Sequence, residues 1–344
     1  SDRLMSVNKT HTQGVYLSGR NEVRIIDLKT LVSKTIANDE MWGFQNSQPW
    51  FSPNSEYVVY SPYRNFEQEI FVYNVRTGKS TNLTHTGVTE AEPVWSPDGK
   101  YIFFTSSRTQ PTYPNGLRDA HIYRMPLQKY DAQYRLDKFN ELFKETKKDS
   151  VAPDVNKNKK TAEKKPVTQL PTPKPPAELL IDSADIMKRI ERISPVFGRQ
   201  NSPDVIQRGD KTMVFYISDQ NDGKRELYRT TIEPFENNKT EQVTGADISG
   251  FDLIKAGDKY YILSGGNVYK LDLDHNKVDK IELGYHFDRN LAGEFRQMFD
   301  EAWAGLDENY YDPDFHGASW VKIHGEYAAY LPYLFQHILG HGIY

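Results

Sequence analysis

One segment recurs in this chain at a spacing that sharply limits what the chain can fold into. Pro49-Trp50-Phe51-Ser52-Pro53-Asn54-Ser55-Glu56-Tyr57-Val58-Val59-Tyr60 returns as Pro93-Val94-Trp95-Ser96-Pro97-Asp98-Gly99-Lys100-Tyr101-Ile102-Phe103-Phe104, 44 residues later. A four-stranded propeller blade takes roughly 40–45 residues. The chemistry of the repeat agrees with that length. Pro97 fixes φ at the first corner of a tight turn, and Asp98-Gly99 supplies positions that tolerate φ > 0. The aromatic and β-branched run from Tyr101 to Thr105 then enters a sheet directly after the turn.

Each copy continues in the same rhythm. The spacing predicts a second strand over Glu69–Asn74 in one copy and His121–Met125 in the other, with Arg76-Thr77-Gly78-Lys79 as a hairpin and Ser80–Leu83 as an outer strand. Weaker copies flank these two. Upstream they run Gly14–Ser18, Val23–Asp27 and Ser33–Ile36. Downstream they run Asp210–Ile217, Glu226–Thr230 and Thr240–Val243, then Gly257–Leu263, Asn267–Leu273 and Val278–Leu283. The expectation is a mainly β chain, with about five antiparallel propeller blades over residues 1–283. Because a propeller closes on itself to remove its sheet edges, a chain that starts in mid-rhythm implies further blades at the N-terminal side. A β-sandwich with chance turn similarity is the competing fold, and the shared turn at blade spacing disfavours it.

Residues 128–178 interrupt the rhythm. Tyr134–Phe143 suits a short helix; Lys144–Lys165 carries 8 Lys against 4 acids, and Pro166–Pro176 holds five prolines. Such a stretch cannot bury enough apolar surface to offset its ordering entropy, so a disordered insertion within a blade is expected. Without arginine or interleaved aromatics for base stacking, it reads as a solvated loop and no nucleic-acid partner is expected. Asp185–Ile193 is a short helix or an extended re-entry into the sheet.

Beyond Leu283 the apolar period changes. Leu291, Phe295, Met298, Phe299, Ala302, Leu306 and Tyr310 recur at three and four, the signature of an amphipathic helix. Asn290 is placed to cap it and Pro313 to end it. Ser319 is placed to cap a second helix carrying Trp320, Ile323, Tyr327 and Leu331 on one face. Residues 284–344 therefore form the start of a small helical domain, too short for a core of its own. Its uncovered apolar faces predict self-association.

No catalytic, cofactor-binding or metal-binding residue is assigned. His337 and His341 have the spacing that places two imidazoles on one helix face, but Ile338 stands where a metalloprotease needs Glu. Asp312, Asp314 and His316, and likewise Asp272 and Asp274, read as turn formers. Arg64, Arg108 and Arg118 fall in loops where a channel could meet peptide carboxylates; Trp42, Trp50, Trp95 and Trp303 read as core. With 43 Lys and Arg against 47 Asp and Glu, the formal net charge of −4 favours neither nucleic acid nor an anionic membrane, and there is no cysteine for disulfide or thiolate chemistry. No apolar run is long enough to span a bilayer.

Three segments carry a family resemblance: Ile181-Asp182 with Ile190-Glu191-Arg192-Ile193-Ser194-Pro195; Phe295–Trp303 with Asn309–Trp320; and Tyr327-Ala328-Ala329-Tyr330-Leu331-Pro332. Following these blades, they resemble the entry to the later blades and the start of the helical domain in tricorn-type serine peptidases, which precedes a PDZ and a catalytic domain. Residues 334–344 depart from that pattern. The resemblance implies a propeller that gates or positions peptide or unfolded-protein substrates, in a homo-oligomeric and cytoplasmic parent. It implies no cofactor, and a serine nucleophile and its histidine downstream of this segment. A non-enzymatic, TolB-like periplasmic binding module is the alternative. A prolyl-oligopeptidase-type propeller is a third, against which the helical start counts.

Overall fold

The computed structural model describes residues 2–41, 47–64, 66–109, 111, 117, 119–129, 179–284 and 286–333. Over these, five four-stranded antiparallel sheets follow one another along the chain. Blade one holds β1 (Asp2–Val7), β2 (Gln13–Ser18), β3 (Glu22–Asp27) and β4 (Ser33–Asn38). Blade two holds β5 (Trp50–Phe51), β6 (Tyr57–Tyr60), β9 (Phe71–Asn74) and β10 (Lys79–Asn82), with a small hairpin of β7 (Tyr63–Arg64) and β8 (Glu67–Gln68) inserted between β6 and β9. Blade three holds β11 (Glu90–Trp95), β12 (Tyr101–Ser106), β13 (His121–Pro126) and β14 (Glu191–Arg192). Blade four holds β15 (Gln200–Arg208), β16 (Lys211–Asn221), β17 (Lys224–Ile232) and β18 (Lys239–Gln242). Blade five holds β19 (Asp252–Ala256), β20 (Lys259–Ser264), β21 (Asn267–Asp272) and β22 (Lys277–Ile281). This is a five-bladed propeller array followed by a small helical region.

The repeated turn is built identically in both copies. Ser96 Oγ donates to Asp98 Oδ1 at 2.6 Å and accepts from Tyr101 N–H at 2.9 Å. Ser52 does the same with Asn54 at 2.7 Å and Tyr57 N–H at 3.0 Å. Gly99 adopts φ +73°, and a Cβ there would lie 2.9 Å from Leu179 Cδ1, so both backbone and packing call for glycine.

Side-chain alternation explains why the second strands read as continuous apolar runs. In β12, Ile102 and Phe104 join a core with Val59, Ile70 and Leu83 of blade two, while Phe103 joins a core with Val205, Val214 and Tyr216 of blade four. In β16, Val214 and Tyr216 face blade three, and Met213, Phe215 and Ile217 face Ile262 and Leu271 of blade five. Val58 and Tyr60 of β6 pack with Val15 and Leu17 of blade one, whereas Val59 packs with blade three. A strand with period two thus feeds two cores at once. Each large side chain so buried contributes about 1.5–3 kcal/mol.

β13 and β14 pair across the intervening segment (Tyr123 with Arg192, Arg124 with Glu191), so the chain returns to the same sheet after residue 178. The return contains both forms expected of it: a 3-10 turn over Ile186–Arg189, then strand β14. The helix suggested for Tyr134–Phe143, and the disorder expected of 128–178, fall on residues outside those described from 130 onward.

In the helical region, α1 (Leu291–Asn309) is capped by Asn290, whose side chain accepts from Gly293 N–H. α2 (Trp320–Ala328) is capped by Ser319, which accepts from Lys322 N–H. Neither helix has a buried residue. Their shared contact is a stack of rings: Tyr310 on Phe315 at 4.8 Å, Phe315 on Trp320 at 4.2 Å, and Trp320 on Trp303 at 3.9 Å.

Candidate functional site: an axial cavity

The first strand of each blade is an edge strand, and the first strands of consecutive blades touch one another: β1 with β5, β5 with β11, β11 with β15. An edge position tolerates proline, which has no N–H for a ladder. Pro93 and Pro203 sit there, and Pro49 immediately precedes β5. The register breaks beside Pro93 and Pro203, with bulges between Ala91 and Val94 and between Asn201 and Asp204, and a third lies between Arg3 and Ser6 in blade one. At each bulge one residue is left-handed: Leu4 at φ 52°, Glu92 at 54° and Ser202 at 56°. A bulge re-aims side chains and exposes backbone donors. Here those donors join the blades. Glu92 N–H donates to Ser47 Oγ at 2.8 Å, and Ser202 N–H donates to Glu92 Oε2 at 2.7 Å. Ser6 Oγ donates to the Pro49 carbonyl at 2.6 Å, and Gln48 Nε2 to the Met5 carbonyl at 2.9 Å.

Where these strands converge lies a cavity of about 190 Å3. Gln48 and Trp50 line it from blade two, Glu92 from blade three, Ser202 and Asp204 from blade four, and Phe251 and Asp252 from blade five. Glu92 Oε2 also accepts from Thr105 Oγ1 at 2.7 Å, so that carboxylate is already engaged. Asp204 accepts from Val205 N–H at 2.7 Å through Oδ1. Burial pushes the Asp204 carboxyl up to about 7; the Val205 N–H opposes the rise and the nearby Asp252 charge adds to it. No Lys, Arg or His among the described residues lines this cavity.

The sequence reading named none of these residues as a site. The signal available to it was proline at the same position of three blades, with Gln48, Glu92 and Ser202 immediately before.

The residues weighed in the sequence take other places. Arg64 pairs with Asp39 at 2.7 Å and lies over the Phe71 ring. Arg108 pairs with the fully buried Glu90 at 3.1 Å and lies over Tyr123. Neither lines the axial cavity. Burial pushes the Glu90 carboxyl up to about 7, with Arg108 pulling the other way. Arg118, Trp42, His337 and His341 lie outside the described residues. Trp95 is core and donates its indole N–H to the Trp50 carbonyl at 3.1 Å. Trp50, expected in the core, packs against it on one side and lines the cavity on the other. Trp303 stacks within the helical region.

Asp312 accepts from Asp314 N–H at 3.0 Å and from His316 N–H at 2.8 Å, which is turn chemistry. Asp272 does likewise for Asp274 and His275, and Asp274 pairs with Arg208. Among the described residues no group of three or more His, Cys, Asp or Glu is arranged to hold a metal. His121 meets the Val196 carbonyl, His275 meets Asp272, His316 meets Asp312 and Tyr311, and His324 meets Asp300. None of these contacts is a serine–histidine pair.

Comparison with known proteins defines the class. Residues 9–138 match the TolB beta propeller domain model, and residues 292–335 match the tricorn protease C1 domain model. The chain is therefore tricorn-like, a TolB-type propeller leading into a C1 segment. The crystal structure of the tricorn protease superposes with a TM-score of 0.63 at 16% identity, covering 96% of this chain and 31% of that one. TolB from Acinetobacter baumannii gives a TM-score of 0.46 at 13% identity, over 83% of this chain and 55% of that one. A structure described as one of two prolyl endopeptidases gives 0.45 at 12%, over 83% and 36%. At 16% identity the likeness to tricorn is one of fold, and this chain spans about a third of the tricorn chain. No described helix is long and apolar enough to cross a membrane.

Proposed function

We propose that this propeller admits and positions peptide substrates for a tricorn-like serine-type peptidase, with extended peptide entering the axial cavity. The observation that carries the reading is the convergence of first strands from four blades on one cavity, in a chain that continues into a C1 match. Cleavage in such a parent needs a serine activated by a histidine and backbone N–H groups for the oxyanion. The propeller's part is selection and orientation, which raises the effective concentration of correctly presented substrate. The tricorn resemblance favours a cytoplasmic, homo-oligomeric setting. The TolB-type match supports a second reading, a module that binds a folded protein through its loops without any peptide in the cavity.

Fluorescence anisotropy with labelled unstructured peptides of about ten residues tests the reading. The parent chain is expected to bind them, and Gln48→Trp, which places a bulky ring in the cavity, is expected to abolish binding while leaving the circular dichroism spectrum intact. Absence of binding at ~1 mM peptide, a free energy near −4 kcal/mol, refutes it. Binding that Gln48→Trp leaves unchanged refutes the axial route and favours the loop-binding module.

A further inference from the structure

The axial cavity has a one-sided charge. Three carboxylates line it and no described cation does. They are not equivalent. Glu92 is committed to Thr105 and to the Ser202 N–H, where it ties blade three to blade four. Asp204 is held by a single neighbouring N–H, and among the described residues neither Asp204 nor Asp252 forms an ion pair. The two sit on adjacent blades, close enough for the Asp252 charge to act on Asp204. The lining is not acidic alone: Trp50 and Phe251 add aromatic surface from blades two and five. Carboxylates and aromatic rings in one partly desolvated cavity form the environment that recognises an ammonium or a guanidinium, by charge and by the ring quadrupole. An anionic side chain meets uncompensated like charge there instead.

We infer that Asp204 and Asp252 make the axial cavity selective for peptides carrying a lysine or arginine side chain, and exclude acidic ones. The inference rests on the peptide-admitting reading above and adds a substrate class to it. A cation between the two carboxylates relieves their mutual repulsion, so the pair is stabilised by the ligand it selects. Burial is the main cause of the rise at Asp204, and the Asp252 charge adds to it.

The test uses the whole chain and three labelled peptides of equal length, alike except for a central Lys, Gln or Glu. Anisotropy titrations at low salt are expected to rank them Lys, Gln, Glu, with a Lys-to-Glu ratio of about tenfold or more. Raising the salt should compress that ratio. In Asp204→Asn with Asp252→Asn the ratio is expected to fall to about twofold. A parent that binds Glu and Lys peptides equally, or a double variant that retains the full preference, overturns the inference and leaves the peptide-admitting reading standing. If the Gln peptide also fails to bind the parent, both fall together. Matching thermal melts of parent and double variant guard against a folding defect, and the single Asp252→Asn, at an exposed position, gives the second variant if the double does not fold.

Discussion

Truncating Glu92 tests whether the blades are held together by their bulges. Glu92→Ala removes the 2.7 Å bond from Thr105 Oγ1 and the 2.7 Å bond from Ser202 N–H. A hydrogen bond to a charged group contributes about 1.5–3 kcal/mol, and a buried donor left unmet has a penalty of its own. Thr105 is fully buried. Glu92 is only partly so, which moderates the sum; the expected loss is about 3 kcal/mol. Two controls separate the bonds from the backbone. Glu92 holds φ 54°, so alanine inherits the same strain, whereas Glu92→Gly relieves roughly 1 kcal/mol of it. The glycine variant should therefore be the more stable of the two. A double-mutant cycle with Thr105→Val, which keeps shape and removes the hydroxyl, should give a coupling of about 1–2 kcal/mol. Urea unfolding followed by tryptophan fluorescence supplies the midpoints, to be converted through a common slope. Glu92→Ala within about 0.5 kcal/mol of the parent would show that the carboxylate does not hold blades three and four together, and strict additivity with Thr105→Val would show that its bond to Thr105 within blade three contributes nothing.

Two further outcomes follow from the same geometry. Gly99→Ala must accept φ +73° and a Cβ 2.9 Å from Leu179, and should destabilise by about 1–3 kcal/mol; Gly87→Ala, which meets open space, should change the melting temperature little. The folded-state pKa of Glu90 is raised to about 7 above its ordinary value of 4.5, so between those pH values the folded chain holds a proton that the unfolded chain has released. Stability from this residue is then greatest below about 4.5 and falls as pH rises to about 7. Glu90→Gln should flatten that part of the stability–pH curve, and an unchanged slope would refute the assignment.

The blades were legible in the sequence because their signals are local. The Ser-Pro-Asp-Gly turn closes through bonds spanning two to five residues, such as Ser96 to Asp98 and to Tyr101. The alternation of β12 and β16 encodes two buried faces in consecutive residues. The cap at Asn290 and the stop at Pro313 likewise act within one helical turn. The short β7–β8 hairpin escaped notice because two-residue strands carry no period to detect.

The axial cavity was not legible, and the reason is physical. Its lining comes from residues 48 to 253, brought together only when the first strands of four blades meet. Glu92 becomes a bridge because Ser202, 110 residues away, turns its N–H toward it. Arg64 and Arg108 fall in loops whose facing the sequence left open, and each is claimed by a carboxylate from elsewhere in the chain. Chain-local chemistry thus determined that there are blades and where they turn. Which side chains face the axis, and which charges remain uncompensated there, depended on contacts between residues far apart in sequence, and only the assembled tertiary structure decided them.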